Sequence, residues 1–171
     1  MGLKQQIGNY YLKKELNKKR TNKNFVPLNQ AKTIGILYNA GDERMKKTAH
    51  QLVTTLQGLK KDVQSLGFIN AKKNPEGLSI TYGYEYFNRS HLNWLNLPIH
   101  SHLDSFLNNN FDYLINLDTE KIQYSFMVAR SAAKCKIAPS NTLYKEAYDL
   151  MLDAKNADFI SELLRYLQKI G

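Results

Sequence analysis

The sequence has one cysteine, four prolines and one tryptophan in 171 residues. The single thiol, Cys135, excludes an internal disulfide, a CxxC redox pair and a cysteine-based zinc site. Such cysteine usage fits a reducing compartment, and a cytoplasmic location is expected. No run approaches the roughly 18–20 apolar residues that span a bilayer. Lys13 and Lys14 interrupt the N-terminal stretch, so no signal-peptide apolar region is expected. The opening Met1-Gly2-Leu3-Lys4-Gln5-Gln6 lacks the Ser or Thr of a myristoylation site. Glycine-rich phosphate loops are missing as well: the first strand–helix turn, Asn39-Ala40-Gly41-Asp42, holds one glycine and is no GxGxxG fingerprint. Ser125, Ser131 and Ser140 lie in no GxSxG elbow. No motif calls for a cofactor.

Acidic residues are also in short supply, at 15 against 24 Lys and Arg, which gives a net charge of +9. The excess is uneven. Residues 1–24 hold Lys4, Lys13, Lys14, Lys18, Lys19, Arg20 and Lys23 against Glu15 alone, and carry +6 of the total. The segment reads as a helix to about Lys19, with Leu3, Ile7, Tyr10 and Tyr11 at helical spacing and Leu12 with Leu16 in a second apolar row. Its basic C-terminal end suits the helix dipole. One reading is a docking helix with a solvated basic face. Another is phosphate binding by Lys13, Lys14, Lys18, Lys19, Arg20 and Lys23, with Tyr10 or Tyr11 stacking on bases. Adsorption to an anionic membrane surface ranks last, because bulky aliphatics are few. Residues 25–31 read as an extended linker, since Val26 precedes Pro27.

From residue 32 the pattern alternates between strands and helices. Lys32–Tyr38 is a short apolar run suited to a buried strand. Asp42 is a good N-cap, and Met45, Ala49, Leu52, Val53, Leu56 and Leu59 then recur at steps of three and four. Asp62–Ile69 reads as a second strand, and strand–helix–strand crossovers imply a parallel sheet. Ile80–Phe87 is β-prone, Asn88–Pro98 reads as a loop holding Trp94 against the core, and Ser101–Asn108 as a short helix. Phe111–Leu117 is a strand, Ile122–Ala133 a helix with a small pair at its end, and Cys135–Ala138 a strand closed by Pro139. Tyr148–Leu152 is a strand or helical turn, and Ala157–Ile170 the final helix. The expected architecture is an α/β, three-layer, Rossmann-like domain over residues 32–171 with a mostly parallel sheet, preceded by a basic N-terminal helix.

The runs LNKKRTNKNF, FDYLINLD, VARSAAKCKIA and YKEAYDLMLD occur in that order. In these the chain resembles an uncharacterised bacterial domain-of-unknown-function family of small proteins with a basic N-terminal helix. That resemblance implies the fold and brings no activity with it. FDYLINLD followed by ARSAAKCKIA is more weakly similar to the N-terminal Rossmann-like half of heptosyltransferase-type glycosyltransferases. This implies an α/β sheet but not the reaction, because the chain is too short for the second, nucleotide-sugar-binding half.

Three places carry candidate chemistry. The first turn, with Asn39, Gly41 and Asp42, lies where an α/β sheet binds ligands. Asp42 and Glu43 repel a phosphate there, leaving a ribose, a cation or an ordinary N-cap. Asp118 and Glu120 follow the strand ending at Leu117, where they serve as acid and base or simply cap the next helix. His100, His102 and Asp104 fall within five residues but lack a third ligand pattern, so no metal site is expected. In addition, Tyr82, Tyr84 and Tyr86 would share one face of an extended strand, either as a stacking platform or as core. Two functions follow. The favoured one is a non-enzymatic binding protein whose basic arm contacts RNA or a ribonucleoprotein. The alternative is a nucleotide- or sugar-binding domain, or a small enzyme, using Asn39, Gly41, Asp42 and Asp118 at the sheet's C-terminal edge.

Overall fold

The structure is a computed structural model, and it describes residues 2–18, 23–75, 78, 81–153 and 159–169. Strand β1 (Thr33–Asn39) leads through helix α2 (Glu43–Gly58) into β2 (Asp62–Ile69). β3 (Tyr84–Asn88) follows, with no helix among the described residues that connect it to β2. Short helix α3 (Asp104–Leu107) precedes β4 (Tyr113–Asn116), and α4 (Ile122–Arg130) joins β4 to β5 (Cys135–Pro139). β6 (Leu150–Leu152) and α5 (Phe159–Lys169) complete the domain, and α1 (Leu3–Leu16) precedes it. The six strands lie in the order β3-β2-β1-β4-β5-β6, and every pairing is parallel. No helix of the described residues is long and apolar enough to cross a membrane.

The continuous apolar runs of β1 and β4 are what a parallel sheet covered on both faces requires. Ile34, Ile36 and Tyr38 alternate onto one face with Tyr113, Ile115 and Cys135, under Leu52 and Leu56 of α2 and Leu163 and Leu167 of α5. Leu37 and Leu114 point to the other face, under Phe106 and Leu107 of α3 and Tyr124, Met127 and Val128 of α4. A β-carbon on Gly35 would lie 2.8 Å from the Phe111 ring and 2.9 Å from Leu114, so only glycine lets that ring rest on β1.

Helix α1 is part of this packing. It ends at Leu16, short of Lys19, and lies on α4 as an additional layer. Leu12 is buried among Leu95, Leu97 and Phe126. Gly8 faces Ile122, where a β-carbon would sit 3.3 Å from its terminal methyl. The Tyr144 hydroxyl donates to Asn9 at 3.2 Å, and Lys4 Nζ donates to Asn96 at 3.4 Å. Consequently Gln123 through Val128 of α4 are all buried. The linker is packed too. It passes beneath the N-terminal edge of the sheet, where Asn24 N donates to the Lys134 carbonyl and the Tyr113 hydroxyl to the Val26 carbonyl. Leu28 and Ala31 then enter the core beside α5. At the same edge the Asp112 carboxylate accepts from Lys32 N at 2.7 Å, Thr33 N at 3.1 Å and Lys134 Nζ at 2.7 Å, tying β1 to β4.

One local expectation is corrected. Trp94 is 67% exposed, and Leu95 and Leu97 are the residues that fill the core from the 92–98 loop. The loop closes through a Leu92–Pro98 bridge, and Asn93 accepts from the amides of Leu95 and Leu97, which turns both leucines inward and Trp94 outward. Of the two readings of the tyrosine run, the structure has the core one. Tyr86 is buried and Tyr84 packs against the His50 ring at 4.8 Å, both on the α2 side, while exposed Tyr82 donates through its hydroxyl to Asp62 at 3.1 Å. Of the β-prone run Ile80–Phe87, the strand itself covers Tyr84–Asn88, and Ile80 lies outside the described residues.

Candidate functional site

In the strand order β3-β2-β1-β4-β5-β6, the sequence of strands reverses direction between β1 and β4. The chain leaves β1 toward α2 on one face and leaves β4 toward α4 on the other. That divergence opens a crevice at the C-terminal ends of the two strands, the place where open α/β sheets bind ligands. A cleft of about 750 Å³ is found there, a volume ordinary for a small-molecule site. Asn39, Asp42, Asp118, Thr119, Lys121 and Ser140 supply much of its polar wall, with Leu117, Leu152 and Phe159 as apolar contacts. A groove of about 950 Å³ also runs along the outer side of α2, past Lys46, Lys47 and His50, but it is an open helix surface away from the strand ends.

Each polar group in the cleft has a local cause. Asn39 ends β1, and its Oδ1 accepts from Gly41 N at 3.0 Å, which fixes the turn. Gly41 itself is exposed and does not line the cleft. Asp42 caps α2, its Oδ1 accepting from Arg44 N at 2.9 Å and Met45 N at 3.0 Å. The Met45 amide, ahead of the Arg44 amide, holds this carboxyl below its ordinary value. Asp118 follows β4 and is buried; its Oδ1 accepts from Glu120 N at 3.1 Å and Lys121 N at 3.3 Å, and its Oδ2 lies 4.0 Å from Lys121 Nζ. The capping reading therefore holds for Asp42, whereas Asp118 closes a turn ahead of α4, whose N-cap is Lys121 without a side-chain cap; both aspartates still face the cleft.

Beneath Asp118 lies a buried polar network that spacing did not reveal. Asn116, in the last position of β4, donates through Nδ2 to the Asp118 carbonyl at 2.7 Å and to the Tyr148 hydroxyl at 2.6 Å. Its Oδ1 accepts from Asp118 N at 3.2 Å. Ser125 Oγ lies 3.3 Å from the same tyrosine oxygen. Burial pushes the Tyr148 phenol above its ordinary value, so it stays neutral and able to donate. The available signal was an asparagine inside the apolar run YLINL, since a buried amide in a strand needs partners.

The electrostatics select against phosphate. The lining carries Asp42, Glu120, Asp118 and Asp153 against Arg44 and Lys121. Amides that would grip an anion at the start of α2 are already taken by Asp42, and those after β4 by Asp118.

The other candidates lie elsewhere. Lys13, Lys14, Lys18 and Lys23 are exposed; Lys18 pairs with Glu15 at 2.7 Å and Lys23 with Asp149 at 3.0 Å. Lys19 and Arg20 lie outside the described residues. His100 and His102 do meet a third imidazole, His91, whose ring centroid is 5.0 Å from one and 5.1 Å from the other. However, Nδ1 of His91 accepts from Asn88 N and Nδ1 of His100 from His102 N. This leaves the proton on Nε2, whereas a ligating imidazole donates from its second nitrogen. Among the described residues no group of His, Cys, Asp or Glu is arranged to hold a metal ion.

A family model described as a family of unknown function, DUF6913, matches residues 4–170. The chain belongs to this family. The match begins in α1 and runs through the α/β body. No curated protein and no solved structure matches the chain.

Proposed function

We propose that this member of DUF6913 is a small-molecule-binding domain whose cleft between β1 and β4 takes a polyhydroxylated ligand, a sugar or the ribose end of a nucleoside, with no phosphate anchor. The observation that carries the reading is Asp118. Its Oδ1 is committed to two backbone amides, while among the described residues its Oδ2 has only Lys121 Nζ, 4.0 Å away. A fixed carboxylate oxygen beside Asn39, Thr119 and Ser140 is the donor–acceptor mixture that vicinal hydroxyls match. The acidic excess and the occupied helix amides favour a neutral ligand over a nucleotide.

The test is thermal unfolding of the full chain with a panel of free sugars, nucleosides and the corresponding nucleotides. A ligand at about ten times its Kd adds about 1.4 kcal/mol, which raises Tm by about 3–6 °C for a domain of this size. Stabilisation by a nucleoside or sugar, lost in Asp118→Asn, is expected. No stabilisation by any neutral compound, or stabilisation that requires the phosphates, overturns the proposal.

A further inference from the structure

The outward side of α1 has no part in the cleft, and its composition is unusual for a helix docked on a domain. Tyr10 is 64% exposed and Tyr11 44% exposed, their rings edge to face at 5.7 Å. Lys13 and Lys14 stand three and four residues after Tyr10, so the three side chains share one patch of helix surface. Lys18 continues the positive strip, its side chain 64% exposed. Its pair with Glu15, three residues earlier, costs little to exchange for another anion. Lys23 is instead committed to the Asp149 carboxylate, whose side chain is 3% exposed. The helix is meanwhile held from behind by Leu12, Gly8, Asn9 and Lys4. The strip is therefore preorganised rather than carried on a loose tail.

We propose that this face of α1 binds single-stranded nucleic acid, with Lys13, Lys14 and Lys18 on phosphates and Tyr10 or Tyr11 stacking on an unpaired base. The charge is complementary to a polyphosphate chain, and exposed aromatic rings between cations are the pairing that single strands use. An acidic protein would satisfy the lysines but gives the two bare rings no matching partner. An anionic membrane would want bulky aliphatics along the helix, and Gln6, Tyr10, Lys13 and Asn17 supply polar ends instead.

The experiment is fluorescence anisotropy of the full chain with labelled oligouridylate and with oligothymidylate of equal length, between 50 and 200 mM salt. Three phosphate contacts predict a log–log salt slope of about −2.1, an affinity loss of about 18-fold over that range. Lys13→Gln with Lys14→Gln should bring the slope to about −0.7, whereas Lys46→Gln with Lys47→Gln on α2 should leave it unchanged. Tyr10→Ala should weaken binding about 5-fold or more with no change in slope. A preference for one oligonucleotide identifies RNA or DNA as the source. The proposal is overturned by no binding at 50 mM salt, by equal losses in the α1 and α2 variants, or by tighter binding to phosphatidylserine vesicles that depends on the same lysines. The cleft ligand should stabilise the Lys13→Gln/Lys14→Gln variant as it does the natural chain, so failure of either proposal is read separately.

Discussion

Leu12→Ala asks how firmly α1 belongs to the fold. Leu12 is 1% exposed and is shared between Leu95, Leu97 and Phe126. Alanine removes three carbons; at about 0.8 kcal/mol per buried methylene the transfer loss is about 2.4 kcal/mol. The cavity left between α1 and α4 adds to this, which brings the expectation into the Leu→Ala range of about 2–5 kcal/mol. The loss has a ceiling, because once it exceeds the free energy holding α1 to α4 the helix detaches and the rest of the domain persists. Two measurements separate these regimes. If α1 unfolds with the domain, the thermal midpoint should fall by about 4–20 °C. If it detaches first, the midpoint moves less and amide exchange in α1 accelerates, by about 30-fold for each 2 kcal/mol lost. Tyr10→Ala, on the opposite side of the helix, serves as the control and should change stability by less than about 0.5 kcal/mol. If Leu12→Ala changed stability by no more than this control and left α1 exchange unaltered, the docked-helix description would be wrong.

Three further outcomes follow from the packing. Asp112→Ala strands the amides of Lys32 and Thr33 and the partly buried Lys134 ammonium; urea unfolding should show a loss of about 3 kcal/mol, and a loss under 1 kcal/mol would contradict the tie between β1 and β4. Burial of Asp112 alone would raise its pKa, but Lys134 and the two amides hold it below the ordinary value, so its stabilisation is complete above about pH 4 and disappears as acid titrates the folded state. His91 is held below its ordinary value by burial and then by His102 and His100, and His50 by burial and Lys46, so the unfolded chain takes protons first. Stability should therefore be full above about pH 6.5 and decline on acidification below it; a urea midpoint that stays flat or rises from pH 7 to 5.5 refutes this. Gly35→Ala forces a β-carbon onto Phe111 and Leu114, and calorimetry should show destabilisation of about 1–3 kcal/mol; a neutral effect would mean the ring is free to move.

The elements legible in the sequence were those whose burial is simple. The run TIGILY is buried along its length, Asp62–Ile69 runs as a strand over the same residues, and the three-and-four spacing from Met45 to Leu56 is the inward stripe of α2. The turn and the end of β4 were legible as one edge of the sheet because strand ends and turn chemistry coincide there; Asn39, Asp42 and Asp118 line one cleft, whereas Gly41 stands outside it. What was not legible depends on partners remote in sequence. That α1 docks was one reading of its spacing, but its seat was not legible: it rests on Gly8 and Leu12 and on a surface assembled from loop 95–97 and α4. Trp94 drew attention by its size, but the hydrogen bonds of Asn93 decide which side chains of that loop turn inward. Asn116 and Tyr148 lie 32 residues apart, and only the β5 and β6 crossover joins them.

The seat of α1 also sets a timetable for synthesis. The helix is made before the sheet, yet its bed on α4 is made roughly 110 residues later, which at about 5–20 residues per second is a delay of roughly 6–22 s. Throughout that interval Leu12 has nothing to pack against, so the nascent chain exposes an apolar residue beside its most basic segment. The seat of α1 is therefore complete only once α4 has emerged, and any chain cut short before Arg130 carries α1 uncovered.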